Sequence, residues 1–214
     1  MSCTPTPSST ATRTVHRLQI ASIFIALSAL SMGASAHTGH GTHSLMEGLA
    51  HPFGPDHLLA MLAVGVWSVS ALPANKAWQG PATFLLALVL SAIVGASGLT
   101  VPFLEHAIAL SVSLFGLMLM VAAKPLALPM PTAFGLGLVA VAASLHGLAH
   151  GAETPASGFA GYAAGFVLTT ALLHAGGVLA GLGLRRWLAE RSTPVLAALG
   201  GGLGLAGMYL FSQL

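Results

Sequence analysis

The sequence predicts an all-α polytopic membrane protein, with six transmembrane helices after a cleavable signal peptide and a first helix broken near Pro52–Pro55. Three observations carry that reading. The 214 residues are 55% hydrophobic and 6% charged, against about a quarter charged in soluble domains. Such a chain lacks the polar surface to cover a water-facing globule, yet suits lipid. Its apolar residues fall into six segments near the roughly 20 residues that cross a hydrocarbon core of about 30 Å. Finally, every basic residue beyond the first 36 falls on one side of that layout.

The elements follow in order. Arg13 and Arg17 form a basic stretch, Leu18 to Leu30 an apolar core, and Ala34-Ser35-Ala36 a small-residue cleavage signal. Residues 1–36 are therefore expected to be removed; an uncleaved first helix is the alternative. Residues 37–43 become a His-rich periplasmic N-terminus carrying His37, His40 and His43. Residues 44–214 form the six-helix transmembrane domain, with spans expected at 44–72, 81–104, 107–123, 132–151, 158–184 and 193–212. Connections such as Pro73-Ala-Asn-Lys76, Lys124-Pro125 and Arg191-Ser-Thr-Pro194 carry turn-forming residues.

With the N-terminus outside, the loops after spans one, three and five face the cytoplasm. They hold Lys76, Lys124, Arg185, Arg186 and Arg191, while Glu47, Asp56, Glu105 and Glu153 fall outside and Glu190 inside. The layout obeys the positive-inside rule. It predicts a multi-pass inner-membrane protein with both mature termini periplasmic. Glycines four apart (Gly147/Gly151, Gly161/Gly165, Gly177/Gly181, Gly200/Gly204) allow close helix approach. The isoelectric point near 9.1 is not a nucleic-acid signature: no basic run exceeds Arg185-Arg186, and no aromatic residues interleave with it. Cys3 is the sole cysteine, which excludes an intrachain disulfide and a multi-thiolate site.

The polarity that remains is concentrated in ten histidines, which points to metal or proton chemistry. The first constellation is His51-Pro-Phe-Gly-Pro-Asp56-His57, followed by Leu-Leu-Ala-Met61. Leu58 to Leu72 is too short to span alone, and Pro52, Gly54 and Pro55 cannot continue a regular helix. Ser44 and Glu47 have capping-box spacing for a short helix before the break. Broken backbone at membrane depth requires surrounding protein or a cavity, and transporter sites are built at such breaks. Asp56 then starts the longer piece, where the helix dipole favours a carboxylate. The alternative is a plain cap with an interfacial His57. Met61 lies one turn on, as a soft donor or as packing.

The second constellation is His146-Gly-Leu-Ala-His150-Gly-Ala-Glu153. Positions i, i+4 and i+7 put two imidazoles and a carboxylate on one helix face. The Gly and Ala between them leave room for an ion or another helix. Divalent metals of hard-to-borderline character accept these N and O donors. The alternative is interhelical hydrogen bonding. His174, deep in the fifth span, needs a partner or a cavity; it is a ligand, a residue orienting one, or a neutral imidazole bonded to a backbone carbonyl. His37, His40 and His43 could collect metal at the entrance or form a weakly chelating tail. His106 beside Glu105 is expected in a tight outer turn.

These two motifs, extended through Leu-Ala-Val-Gly65, resemble the HupE/UreJ family of nickel/cobalt permeases, and the resemblance covers essentially the whole mature chain. One residue fewer separates His51 from Asp56 than in the family's motif, and Leu145 stands where the family has Phe. The resemblance implies that Ni²⁺ or Co²⁺ is the cargo, delivered to hydrogenase or urease. It carries the functional set over onto His51, Asp56, His57, His146, His150 and Glu153. With His174, His37 and His40, these are the expected metal-binding residues. No permanently bound cofactor and no enzymatic activity are expected. The expected partners are the divalent ion and the bilayer, without nucleic acid, and a homo-oligomer is left open. The competing readings are a membrane metalloenzyme, though the H-E-x-x-H order is missing, a proton-coupled carrier for another solute, and a metal sensor or chaperone anchor.

Overall fold

The computed structural model describes residues 45–123, 130–153, 159–188 and 191–214. Among them are seven α-helices and no strand: α1 (Leu45–Ala50), α2 (Pro55–Ala71), α3 (Gln79–Ala96), α4 (Leu104–Ala122), α5 (Thr132–Ala152), α6 (Phe159–Leu188) and α7 (Ser192–Ser212). Five of them, α3 to α7, are long and apolar enough to cross a membrane. The signal peptide, Ser44, Lys124 and Glu190 lie outside the described residues.

The expected break is present between α1 and α2. A 3₁₀ turn, His51–Phe53, separates them, and Pro55 opens α2, where its missing N–H is no loss. Leu58 N–H donates to Gly54 O at 2.9 Å to start the helix. The carbonyls left open at the end of α1 must be satisfied by protein if this backbone lies in hydrocarbon. Thr169 Oγ1 of α6 donates to Leu49 O at 2.9 Å, a bond whose net contribution is about 1 kcal/mol.

Three close helix pairs organise the bundle, and glycine makes each of them. The 30-residue α6 runs parallel to α1 and α2 together. Gly165 faces Leu45 and Leu49, Gly177 faces Leu62, and Gly181 faces Val66. In the second pair, α3 lies along α5: a Cβ on Gly147 would strike Leu88 O and Ser91 Oγ, and one on Gly151 would strike Ala92 O. The glycines between the histidines therefore admit another helix. In the third pair, Gly116 of α4 meets Gly200 and Gly204 of α7. Most of α2 is buried, with Ala60, Met61 and Val64 fully inaccessible, so it sits as the central element. At its far end Arg185 Nη1 donates to Val69 O at 3.1 Å, placing a cation on the α2 C-terminal carbonyls.

Two expectations need correction. The second segment ends at Ala96 and does not continue to 104. Gly98 adopts φ 93°, a left-handed backbone that terminates helices, and Pro102 follows before α4 begins. His106 lies in the first turn of α4, not in a loop. Its ring packs edge-on against Phe103 and Phe211, with centroids at 5.8 and 5.0 Å.

Candidate metal centre

The break and the far end of α5 come together. Because α2 starts at Pro55, Asp56 and His57 project from its first turn. The 3.6-residue period of α5 places His146 and His150 on the same face, and Glu153 follows at the helix end. The result is two adjacent triads of donors, in each of which one ligand atom per residue lies within 4.8 Å of the others: His51, His150 and Glu153, and Asp56, His57 and His146.

In the first triad His51 Nε2 lies 2.9 Å from His150 Nδ1 and 3.7 Å from Glu153 Oε2. His150 Nδ1 is 3.4 Å from Glu153 Oε2. In the second, His57 Nδ1 is 3.6 Å from Asp56 Oδ2, and His57 Nε2 is 3.2 Å from His146 Nδ1. The triads join where His57 Nε2 meets His150 Nε2. The His51 and His150 rings stand edge to face, as do those of His57 and His146.

The six residues that the family resemblance implies thus fall into two linked groups of three, and His51 lies with His150 and Glu153 rather than with Asp56. The shortened His51–Asp56 spacing does not prevent this, because the 3₁₀ turn carries His51 back toward His150. Four imidazoles turn nitrogens toward one another. Facing lone pairs repel unless a proton or a cation lies between them. Donors about 2.1 Å from a small divalent ion lie roughly 3.0–3.4 Å apart when adjacent, close to the spacings here. Two carboxylates supply negative charge to the same place.

Aromatic rings wall the cluster. Phe166 lies 4.8 Å from the His150 ring and 6.0 Å from that of His57, and Tyr162 is 5.6 Å from His51. An apolar cleft between α3 and α6, lined by Leu88, Ala92, Ile93, Phe166 and Val167, reaches His150 from the side. Among the described residues, the polar partners of His150 are His51, His57 and Glu153, all within the cluster. His146 is fully buried, and its Nε2 lies 2.9 Å from Ser111 Oγ of α4.

The family model described as HupE / UreJ protein matches residues 25–210. This chain belongs to the HupE/UreJ family. It is 35% identical over 198 residues to Protein HupE of Rhizobium leguminosarum bv. viciae, covering 90% of this chain and 98% of that relative. No solved structure matches the chain. The matched residues include both motifs and reach into every described helix.

His174 is not brought into either triad. It is buried on α6 with Nδ1 2.8 Å from Thr170 O, the carbonyl-bonded alternative, while Nε2 has no hydrogen-bond partner among the described residues. The ring of Phe84 lies between, 5.8 Å from His146 and 4.8 Å from His174. Met61 is buried in the packed core of α2, the packing role. His37 and His40 lie outside the described residues. Reading the sequence missed Ser111, Phe84, Phe166 and Tyr162. A serine in an apolar helix ordinarily bonds its own backbone, and a phenylalanine there is ordinary packing, so neither carried a signal.

Proposed function

We propose that this chain carries Ni²⁺ or Co²⁺ inward across the inner membrane and so supplies metalloenzymes such as hydrogenase or urease. In this reading the mature protein has six spans after a cleaved signal peptide, α1 and α2 together forming the first, and both termini are periplasmic. The basic residues Lys76, Arg185, Arg186 and Arg191 support that orientation. The observation that carries the proposal is the convergence of four imidazoles and two carboxylates from the α1–α2 break and α5 in a bundle of apolar helices.

The ion is collected at the acidic end, with His37 and His40 at the entrance. It exchanges water first for His51, His150 and Glu153, then for Asp56, His57 and His146. The carboxylates offset charge that hydrocarbon cannot solvate, and neutral imidazoles give directional bonds. Contact between the triads supports a short transfer from one set of donors to the next, which keeps binding loose enough for release. His174, beyond Phe84, is the deeper relay, with its unpartnered Nε2 as the donor atom.

The test is uptake of radioactive nickel into proteoliposomes containing the purified protein, with Co²⁺, Zn²⁺ and Mn²⁺ as competitors. Saturable uptake that cobalt suppresses supports the proposal. Flux no greater than in empty liposomes, with metal still bound, would favour the sensor or anchor reading instead.

A further inference from the structure

His146 presents two ring nitrogens to different surroundings. Nδ1 faces His57, while Nε2 faces Ser111 Oγ across 2.9 Å. Which nitrogen carries the proton decides which can bind a cation, since a protonated nitrogen has no lone pair to offer. The answer lies in the serine. Ser111 Oγ donates to Ile108 O at 2.6 Å, an ordinary O–H···O length. A hydroxyl has one proton, so with that proton committed Ser111 can only accept from His146. The 2.9 Å separation matches N–H···O geometry.

We infer that Ser111 is a positioning residue that holds His146 as the Nε2–H tautomer and thereby turns the Nδ1 lone pair toward His57 and the cation path. This inference rests on the proposed function for its purpose, but the tautomer itself does not depend on it. Ser111 belongs to neither triad. It acts through a chain running from Ile108 O through the Ser111 hydroxyl and the His146 ring. That chain comes from α4, which contributes no ligand to either triad, so it couples ligand orientation to the packing of a third helix. Without it, a buried neutral imidazole would be free to place its proton on Nδ1, between itself and His57. Residues that orient a metal-binding histidine in this way commonly change affinity by about 10–100-fold.

The experiment uses the full chain in lipid nanodiscs, without metal, labelled with ¹⁵N at histidine. The His146 signals are assigned by their loss in His146→Gln. The expected spectrum has a protonated Nε2 and an unprotonated Nδ1. Ser111→Ala, which removes one oxygen and little volume, is expected to give a mixture of tautomers and to weaken Ni²⁺ binding about tenfold or more. Ser111→Thr, which keeps the hydroxyl, is expected to retain the wild-type tautomer. A protonated Nδ1 in the wild type, or an unchanged tautomer in Ser111→Ala, would overturn the inference. Wild-type protein that binds no Ni²⁺ would instead sink the proposed function, while the nitrogen signals still decide the role of Ser111.

Discussion

The two triads hold the same number of donors but differ in their surroundings. In the His51–His150–Glu153 group the side chains are 19%, 12% and 41% exposed. In the Asp56–His57–His146 group His57 is 4% exposed and His146 is fully buried, with Asp56 at 30%. The first group is assembled from the 3₁₀ turn and the end of α5, where backbone can shift. The second is set in the first turn of the central helix and inside α5, wedged by Phe84 and Ser111. Similar ligands therefore suit different tasks. Under the proposed function, the partly wet group exchanges water readily and captures the ion, while the dry group strengthens each electrostatic contact and imposes a geometry the ion must meet.

The comparison breaks most sharply at Asp56. Asp56→Asn preserves shape but removes the charge beside two imidazoles. Stranding a buried charge costs about 3 kcal/mol or more, so nickel uptake is expected to fall at least roughly 100-fold and not to recover at high metal concentration. Loss of less than about tenfold in proteoliposome uptake would show that the dry triad is not decisive. Glu153→Gln in the wet triad is expected to raise the half-saturating nickel concentration about tenfold, on the scale of weakened ligand support, with the maximal rate nearly unchanged. A reversed pattern, with maximal rate lost and half-saturation kept, would invert the assignment of capture and passage.

Acid sharpens the same contrast. A proton and a metal ion compete for the imidazole lone pair, so binding is lost as pH falls and restored as it rises. Uptake is expected to decline below about pH 6, near the ordinary range of histidine. Proton competition for the imidazole lone pairs should raise the half-saturating nickel concentration before the maximal rate falls. Equal uptake at pH 5 and pH 7 would count against neutral imidazoles as ligands. The smallest effect is expected at Thr169, whose hydroxyl serves the open end of α1. Thr169→Val leaves Leu49 O without that donor at a cost of about 1–3 kcal/mol, read as a lower thermal unfolding temperature. Because α1 leads directly into the 3₁₀ turn that carries His51, any change in uptake should fall on half-saturation and stay within a few fold.

Much of this architecture was legible beforehand, and the misses share a cause. The helices from α4 onward begin and end within a few residues of the expected spans, because long apolar runs bounded by Pro and Gly leave little choice. The break before α2 was legible for the same reason: Pro52, Gly54 and Pro55 cannot hold a helix. The overshoot past Ala96 came from Leu99 and Val101, which prolong the apolar run while Gly98 turns the backbone out of it. His106 was misread because its neighbours suggested a turn, whereas Leu104 already opens α4 and aromatic neighbours hold the ring.

By itself the sequence determined the helical segments, the interruption in the first of them and the placement of His146, His150 and Glu153 on one face. All of these follow from the local periodicity and stereochemistry of the chain. Tertiary structure alone decided that His51 pairs with His150 and not with Asp56, that His57 bridges the triads, that Phe84 sets His174 apart, and that Ser111 lies against His146 Nε2. Those outcomes depend on which helices abut. That choice is made by glycines such as Gly147, Gly165 and Gly177 meeting backbone from distant parts of the chain, where the fit between two surfaces, rather than the spacing along either, sets the distance.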